Sequence, residues 1–224
     1  CHTTLSIDTN MARYMFTGIV QASLPITQVV RKPGFCSFAV AFPTELLSGL
    51  ATGASVAVNG VCLTVTGIEG GAVHFDAIKE TLELSNLRLI EEGSLVNVER
   101  SARADAEVGG HLLSGHIVGT AEVVEVDVAV KNNCRLTFAA DTGWLKYVFE
   151  KGFLAVNGAS LTVAQLDREA ARLAINLIPE TLARTNLSLL KTGDLVNIEV
   201  ESQTQAIVET VERVMAERKG PALT

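Results

Sequence analysis

The chain is poor in aromatic side chains. Phe, Trp and Tyr make up 5% of its 224 residues, with a single Trp. Its core must therefore be built from Val, Leu, Ile and Ala, which a hydrophobic content of 48% readily supplies. Cysteine is sparse: Cys1, Cys36, Cys62 and Cys134 lie far apart in apolar contexts, with no C-x-x-C pair. That pattern predicts reduced thiols in a cytoplasmic protein rather than a disulfide framework. Four histidines without a tight Cys/His cluster argue against a structural metal site. No run of about 18 apolar residues is present, which excludes a membrane-spanning helix. Basic residues number 18 against 25 acidic ones, for a net charge of -7, and they form no run or stripe. Nucleic-acid binding thus has little support, and the acidic balance speaks only to solubility. P-loop, G-x-G-x-x-G and Ser-His-Asp patterns are missing as well.

What is present is a repeat. VAVNGVCLTV at 56–65 is answered by LAVNGASLTV at 154–163, with seven of ten positions identical at an offset of 154 − 56 = 98. KETLELSNL (79–87) is answered by PETLARTNL (179–187), and GSLVNVE (93–99) by GDLVNIE (193–199), both at offset 100. FTGIV (16–20) aligns with SGHIV (114–118) at offset 98, which sets Gly18 opposite His116. Two copies are too few for a solenoid, so the pattern is a tandem domain pair.

Each copy is a succession of short Val-, Ile- and Thr-rich runs bounded by Gly, Asn and Asp, the signature of strands. Asn59-Gly60 and Asn157-Gly158 mark tight hairpins, because both residue types tolerate positive φ. Short helical turns are expected at 44–50, at 142–148 and after each ETL. Five or six strands in roughly 90 residues favour a small closed barrel over a sandwich, since closure removes the edges. Residues 203–218 differ: Ile207, Val208, Val211, Val214 and Met215 form one apolar stripe of a helix. The stripe either lies on its own barrel or pairs with copies of itself. The leader, CHTTLSIDTNMARY (1–14), is polar and lacks a signal-peptide core. It is either a native tail or an extension ahead of a natural start at Met15.

Positions where the copies differ carry the functional information. Cys62 in one copy is Ser160 in the other. Asn59/Asn157 and Leu63/Leu161 are shared and read as turn and core. His111 and His116 lie five residues apart among glycines that allow close approach to a ligand. In a strand they face opposite ways, against joint metal ligation. Cys62, Ser55, Thr64 and Thr162 all have structural readings as well: a buried thiol, a turn-bonding hydroxyl and two half-buried strand threonines.

Taken together, MFTGIV, SVAVNGVCLTV, FDAIKETL, GGHLLSGHI, NGASLTV and LIPETLARTNL resemble the riboflavin synthase family of duplicated lumazine-binding proteins. The resemblance spans nearly all of 15–218. It implies an all-β tandem pair of six-stranded Greek-key closed barrels, at 15–111 and 112–202, then a C-terminal amphipathic α-helix at 203–218 that joins three subunits. A tail, 219–224, follows. It implies dismutation of two 6,7-dimethyl-8-ribityllumazine molecules to riboflavin and 5-amino-6-(ribitylamino)uracil without metal or redox cofactor. A homotrimer and association with lumazine synthase are the implied partners, with no nucleic acid and no membrane.

Carried over by motif, the first barrel's ligand site is Phe16, Thr17, Gly18, Ile19 and Val20, with Cys62, Leu63 and Thr64, and Asp76, Ala77, Ile78, Lys79, Glu80 and Thr81. The second's is Gly115, His116 and Ile117, with Lys151, then Ser160, Leu161 and Thr162, and Leu177, Ile178, Pro179, Glu180, Thr181 and Leu182. Ser55, Cys62 and His116 are the catalytic candidates, His116 for proton transfer because imidazole titrates near neutrality. Glu201 stands where a shorter Asp is expected. The competing function is a non-catalytic lumazine- or flavin-binding antenna on the same fold; a flavin-dependent reductase barrel gives no reason for the duplication.

Overall fold

The computed structural model describes residues 16–103, 107–130 and 133–218. The leader, Met15 and the tail 219–224 lie outside the described residues. The first repeat forms strands β1 (Ala22–Lys32), β2 (Phe35–Ala41), β3 (Ser55–Val58), β4 (Val61–Glu69), β5 (Ala72–Ile78) and β6 (Leu95–Arg100). The second forms β7 (Gly119–Val130), β8 (Asn133–Ala139), β9 (Phe153–Val156), β10 (Ala159–Asp167), β11 (Arg172–Leu177) and β12 (Leu195–Val200). Each set closes into a barrel of antiparallel strands. The order is β1-β2-β5-β4-β3-β6 in the first and the same order, read in the opposite sense, in the second. Strand β2 lies beside β5 in the run β5-β4-β3, and β6 lies beside β3, so two Greek keys interlock.

The local rules behind this are legible. Asn59 and Gly60, at φ 47 and 81, make the β3–β4 turn, and Asn157 and Gly158, at 45 and 79, make its twin. Bulges bend β4 at Val65/Gly67 and β10 at Val163/Gln165, where a small barrel must curve. Inward-facing aliphatics fill both barrels. Val56, Val58, Val65, Val73, Val96 and Val98 do so around Phe38 and Phe75 in the first, and Val123, Leu136, Leu154, Val163, Ile175 and Ile198 around Phe138 in the second. Helices α1 (Thr44–Leu47) and α3 (Thr142–Leu145) fall where the sequence predicts turns. Helical turns do follow each ETL, at Asn86–Leu89 and Asn186–Leu189, and helices α2 (Lys79–Leu84) and α4 (Pro179–Arg184) additionally run through the motifs, with Glu80 and Glu180 in their first turns.

The barrels meet across a pseudo-two-fold axis. Six buried asparagines form the seam. Asn97 donates to the Asn157 carbonyl (2.9 Å) and accepts from the Asn186 amide (2.7 Å). Asn197 does the same to the Asn59 carbonyl (2.9 Å) and from the Asn86 amide (2.6 Å). Asn86 and Asn186 reach across to Asn157 and Asn59 at 3.1 and 3.0 Å. The two Asn-Gly turns touch: a Cβ placed on Gly60 would lie 2.7 Å from the Gly158 nitrogen.

Helix α5 (Ser202–Arg218) has no buried residue. It contacts the second barrel through Lys146–Glu212 (2.6 Å) and Tyr147–Glu209 (2.8 Å). Ile207, Val211 and Met215 remain 64%, 51% and 56% exposed, so its apolar stripe does not pack on its own barrel.

Candidate functional site

Two arms, 16–20 and 113–118, precede the two barrels. They pair with each other at the Phe16–Leu113 bridge (3.0 and 2.9 Å), and each then crosses to the other barrel. The carbonyl of Gly18 accepts from the Ser160 amide of the second barrel (2.8 Å), and that of Gly115 accepts from the Cys62 amide of the first (3.0 Å). Both glycines have positive φ, 74 and 79, and a Cβ on either would meet the Cβ of Ser160 or Cys62 at 2.5 Å. Only glycine permits that approach.

This geometry corrects two expectations. First, the crossing regroups the motif residues: Gly115, His116 and Ile117 join Cys62, and Gly18, Ile19 and Val20 join Ser160. Second, the arms align one residue differently from the sequence match. Glu99 binds Thr17 and Gly18, and Glu199 binds Ser114 and Gly115, an offset of 115 − 18 = 97. The bulges of β1 (Ile26/Gln28) and β7 (Val123/Glu125) keep the same offset of 97. The shared Ile-Val pair had pulled the sequence match one residue out of register. The counterpart of His116 is therefore Ile19, and Gly18 answers Gly115.

At the first barrel, Cys62, Glu80, Thr81, Ser85, Gly115, His116 and Ile117, with Val61 and Leu84, line a cavity of about 300 Å³, in the range of small-molecule sites. Strand alternation sets its floor: Cys62 and Thr64 point outward from β4, while Leu63 (5% exposed) points into the core. Leu161 (8%) does likewise in β10, so both leucines offer only backbone to a ligand. Burial pushes the Cys62 thiol up, against the lowering effect of a hydrogen bond with Ser55, so it stands as S–H rather than thiolate. Phe16 is buried behind Cys62 in a cluster with Ala57, Leu113 and Ala155. Asp76 bonds Ser37 (2.6 Å) on the exposed face, Ala77 is buried, and Ile78 and Lys79 are exposed.

The second barrel carries a different constellation. His111 Nδ1 lies 2.6 Å from Ser160 Oγ, and its ring stacks on Phe153 at 5.1 Å. Burial lowers the His111 pKa, opposed by the nearby Glu201 carboxylate. His111, Phe149, Phe153, Glu201 and Thr204 line a cavity of about 380 Å³. Glu201 also caps α5, accepting from the Thr204 amide at 2.7 Å. Burial raises its pKa, but the bonds from Thr204 outweigh this and leave it lowered. Lys151 lies between Phe149 and Gly152 of that lining and holds φ 64, a conformation its counterpart Gly53 takes at 89. Thr162, Ile178, Pro179 and Glu180 are exposed, Thr181 and Leu182 half-buried, and Leu177 belongs to the core.

Sequence reasoning missed the His111–Ser160 pair and the roles of Glu99 and Glu199. The signal for the glutamates lay in VNVE and VNIE: an Asn-x-Glu face repeated in both copies, on strands whose other face is pure valine or isoleucine. The described residues contain no group of three or more His, Cys, Asp or Glu able to hold a metal ion.

Comparison with known proteins finds the same duplication. The lumazine binding domain model matches twice, at 17–101 and 114–201. Riboflavin synthase of Escherichia coli (strain K12) is 49% identical over 207 residues, 92% of this chain and 96% of that protein. Riboflavin synthase of Chlamydia pneumoniae is 38% identical over 202 residues, 90% of this chain and 98% of that protein. Among solved structures, LumP complexed with 6,7-dimethyl-8-(1'-D-ribityl) lumazine superposes with TM-score 0.75 at 26% identity, covering 84% of this chain and 99% of that one. LumP with riboflavin gives 0.76 at 27%, over 84% and 100%. Two matched lumazine binding domains and near-full-length identity place this chain in the riboflavin synthase family.

Proposed function

We propose that this chain is a transferase that dismutates two 6,7-dimethyl-8-ribityllumazine molecules, moving a four-carbon unit from one to the other to give riboflavin and 5-amino-6-(ribitylamino)uracil. The observation that carries this reading is the Cys62 cavity: the crossing arm sets His116 beside Cys62, Glu80 and Thr81, all on one concave surface. One lumazine must lose a proton from its C7 methyl, and His116 is our candidate to take it, since imidazole titrates near neutrality. Cys62 S–H donates a hydrogen bond to the ring, Ser55 polarises that thiol through its own hydrogen bond, and Thr64 extends that face. The second lumazine lies on the Ser160 surface, with Gly18, Ile19 and Val20 above and Lys151, Thr162, Ile178, Glu180 and Thr181 around it. Holding two rings in register can supply about 7–11 kcal/mol of the barrier.

The units of this reading are a first lumazine-binding barrel at 15–111, a second at 112–202 and an association helix at 203–218. The exposed stripe Ile207, Val211 and Met215 supports self-association into a homotrimer in the cytoplasm. There the first barrel of one subunit faces the second of another, and lumazine synthase is a further partner. Sedimentation should give three chains per particle, and Val211→Lys should yield monomers; a trimer that survives this change refutes the helix as the joint.

The alternative is a lumazine- or flavin-binding antenna. The presence of Ser55, Cys62, His116 and Ser160 favours turnover, as does the higher identity to riboflavin synthases (49% to that of Escherichia coli) than to the lumazine-binding LumP (26%). Incubation with the lumazine alone decides: one riboflavin per two lumazines consumed supports the synthase, and tight binding without turnover supports the antenna. His116→Ala should slow turnover by about 100-fold or more while changing binding little. Equal loss in both would remove His116 from proton transfer.

A further inference from the structure

Glu99 on β6 and Glu199 on β12 are 5% and 4% exposed. Each points away from its own barrel core, yet the other barrel and the arms close over it. No ion pair to either is found among the described residues. A buried carboxylate without a cation is costly unless its oxygens are filled by hydrogen bonds. Here they are filled by the arms. Glu99 accepts from the Thr17 amide (2.7 Å), the Thr17 hydroxyl (2.8 Å) and the Gly18 amide (3.0 Å). Glu199 accepts from the Ser114 amide (2.7 Å), the Ser114 hydroxyl (2.8 Å) and the Gly115 amide (3.1 Å). Burial raises both carboxyl pKa values; the bonds from the arms, and for Glu199 the nearby His116, offset only part of that rise.

The arms are also anchored by burial, Phe16 and Leu113 against each other, Val20 in the second barrel's core and Ile117 against the first, but their backbone has few other holds. Between the Phe16–Leu113 bridge and the first residues of β1 and β7, the backbone bonds are the single crossing bond at Gly18 or Gly115, with Gln21 to Val98 (2.9 Å) and Val118 to Ile198 (2.9 Å) where the strands begin. The residues that overhang the ligand surfaces, Ile19 and His116, come directly after the clamped glycines.

We propose that Glu199 is a positioning residue that holds the His116 arm over the Cys62 cavity, and that Glu99 holds the Ile19 arm over the Ser160 surface. Each carboxylate therefore serves the site on the opposite barrel from its own.

The test uses the full chain and needs no substrate. Cys62 is partly buried under Gly115, while Cys36 and Cys134 are buried in the barrel cores. Alkylation by iodoacetamide, mapped by peptide mass spectrometry, reads the first arm through Cys62 and reads global unfolding through Cys36 and Cys134. Glu199→Gln should speed Cys62 alkylation by about tenfold or more, as expected for losing a hydrogen bond to a charged group. Cys36 and Cys134 should stay protected, and Glu99→Gln should leave the Cys62 rate unchanged. Because the Glu199 charge itself raises the Cys62 thiol pKa, Gln would quicken alkylation even without arm movement, so Ser114→Ala is the deciding variant: it keeps that charge, removes one of the bonds and should give a smaller rise confined to Cys62. An unchanged Cys62 rate in folded Glu199→Gln overturns the proposal. So does an equal rise in Glu99→Gln, or a Ser114→Ala variant without a Cys62-specific rise. Turnover, which rests on the proposed function, supplies a second readout: kcat for lumazine should fall in Glu199→Gln and recover only with the native carboxylate. If the thiol result holds but the unaltered protein shows no turnover, the functional reading fails and the clamp stands.

Discussion

Replacing Gly60 with alanine probes the closest approach of the two barrels. The new methyl carries two separable costs. At φ 81 an L-residue sits in the left-handed region, worth about 1–2 kcal/mol. Its Cβ would also lie 2.7 Å from the Gly158 nitrogen and 3.0 Å from the Gly158 Cα. Both are backbone atoms of a tight turn, which cannot rotate aside as a side chain would. Overpacking of this kind adds about 1–3 kcal/mol. Gly93→Ala is the control: its φ of 86 is nearly the same, but nothing lies within 4 Å of its Cβ. Equilibrium unfolding in urea, followed by circular dichroism and by the fluorescence of the sole Trp, should show Gly60→Ala less stable than Gly93→Ala by about 1–3 kcal/mol. Gly158→Ala should match Gly60→Ala, since its Cβ meets the Gly60 nitrogen at 2.8 Å and Cα at 2.9 Å. In the double variant the second methyl enters a gap already forced open, so the effects should fall short of additive. Equal stability of Gly60→Ala and Gly93→Ala would refute a barrel contact at the turns.

Asn97→Ala strips a buried donor and a buried acceptor of their partners, the Asn186 amide and the Asn157 carbonyl. The loss should be about 2–6 kcal/mol by denaturant titration, and Asn197→Ala should equal it. For His111, whose folded pKa is lowered by burial, the unfolded chain binds more protons below about pH 6.5. Its contribution to stability is therefore complete above that pH and is lost as pH falls toward the folded value. Glu99 and Glu199, raised by burial, act in the opposite sense, losing stability as pH rises through their folded values. Comparing the parent with His111→Gln cancels the glutamates, and the difference in Tm should shrink on acidification below pH 6.5; a constant difference would refute the assignment.

Much of the fold was legible because it rests on local rules. Asn59-Gly60 and Asn157-Gly158 dictate their turns, the alternation in VCLTV sets Cys62 outward and Leu63 inward, and the repeat gives two barrels. The site was legible only in part, since it depends on pairing between distant segments. Strand periodicity makes Asn97 and Glu99 solvent-facing, and nothing local announces that a second barrel covers them. The exchange of arms was hidden for the same reason: Gly18 is closer in sequence to Cys62 than to Ser160, yet bonds Ser160. The one-residue slip at FTGIV followed from matching letters where the backbone matches positions.

The crossing of the arms separates the unit of folding from the unit of function. A chimera joining the first half of one relative to the second half of another would inherit neither parent's sites. Each cavity would combine the floor of one ancestor with the overhang of the other, so His116 would travel with the second half while the Cys62 it covers travelled with the first. Sequence drift in either half must then be tolerated at both sites, and the two halves of the gene are bound to evolve together.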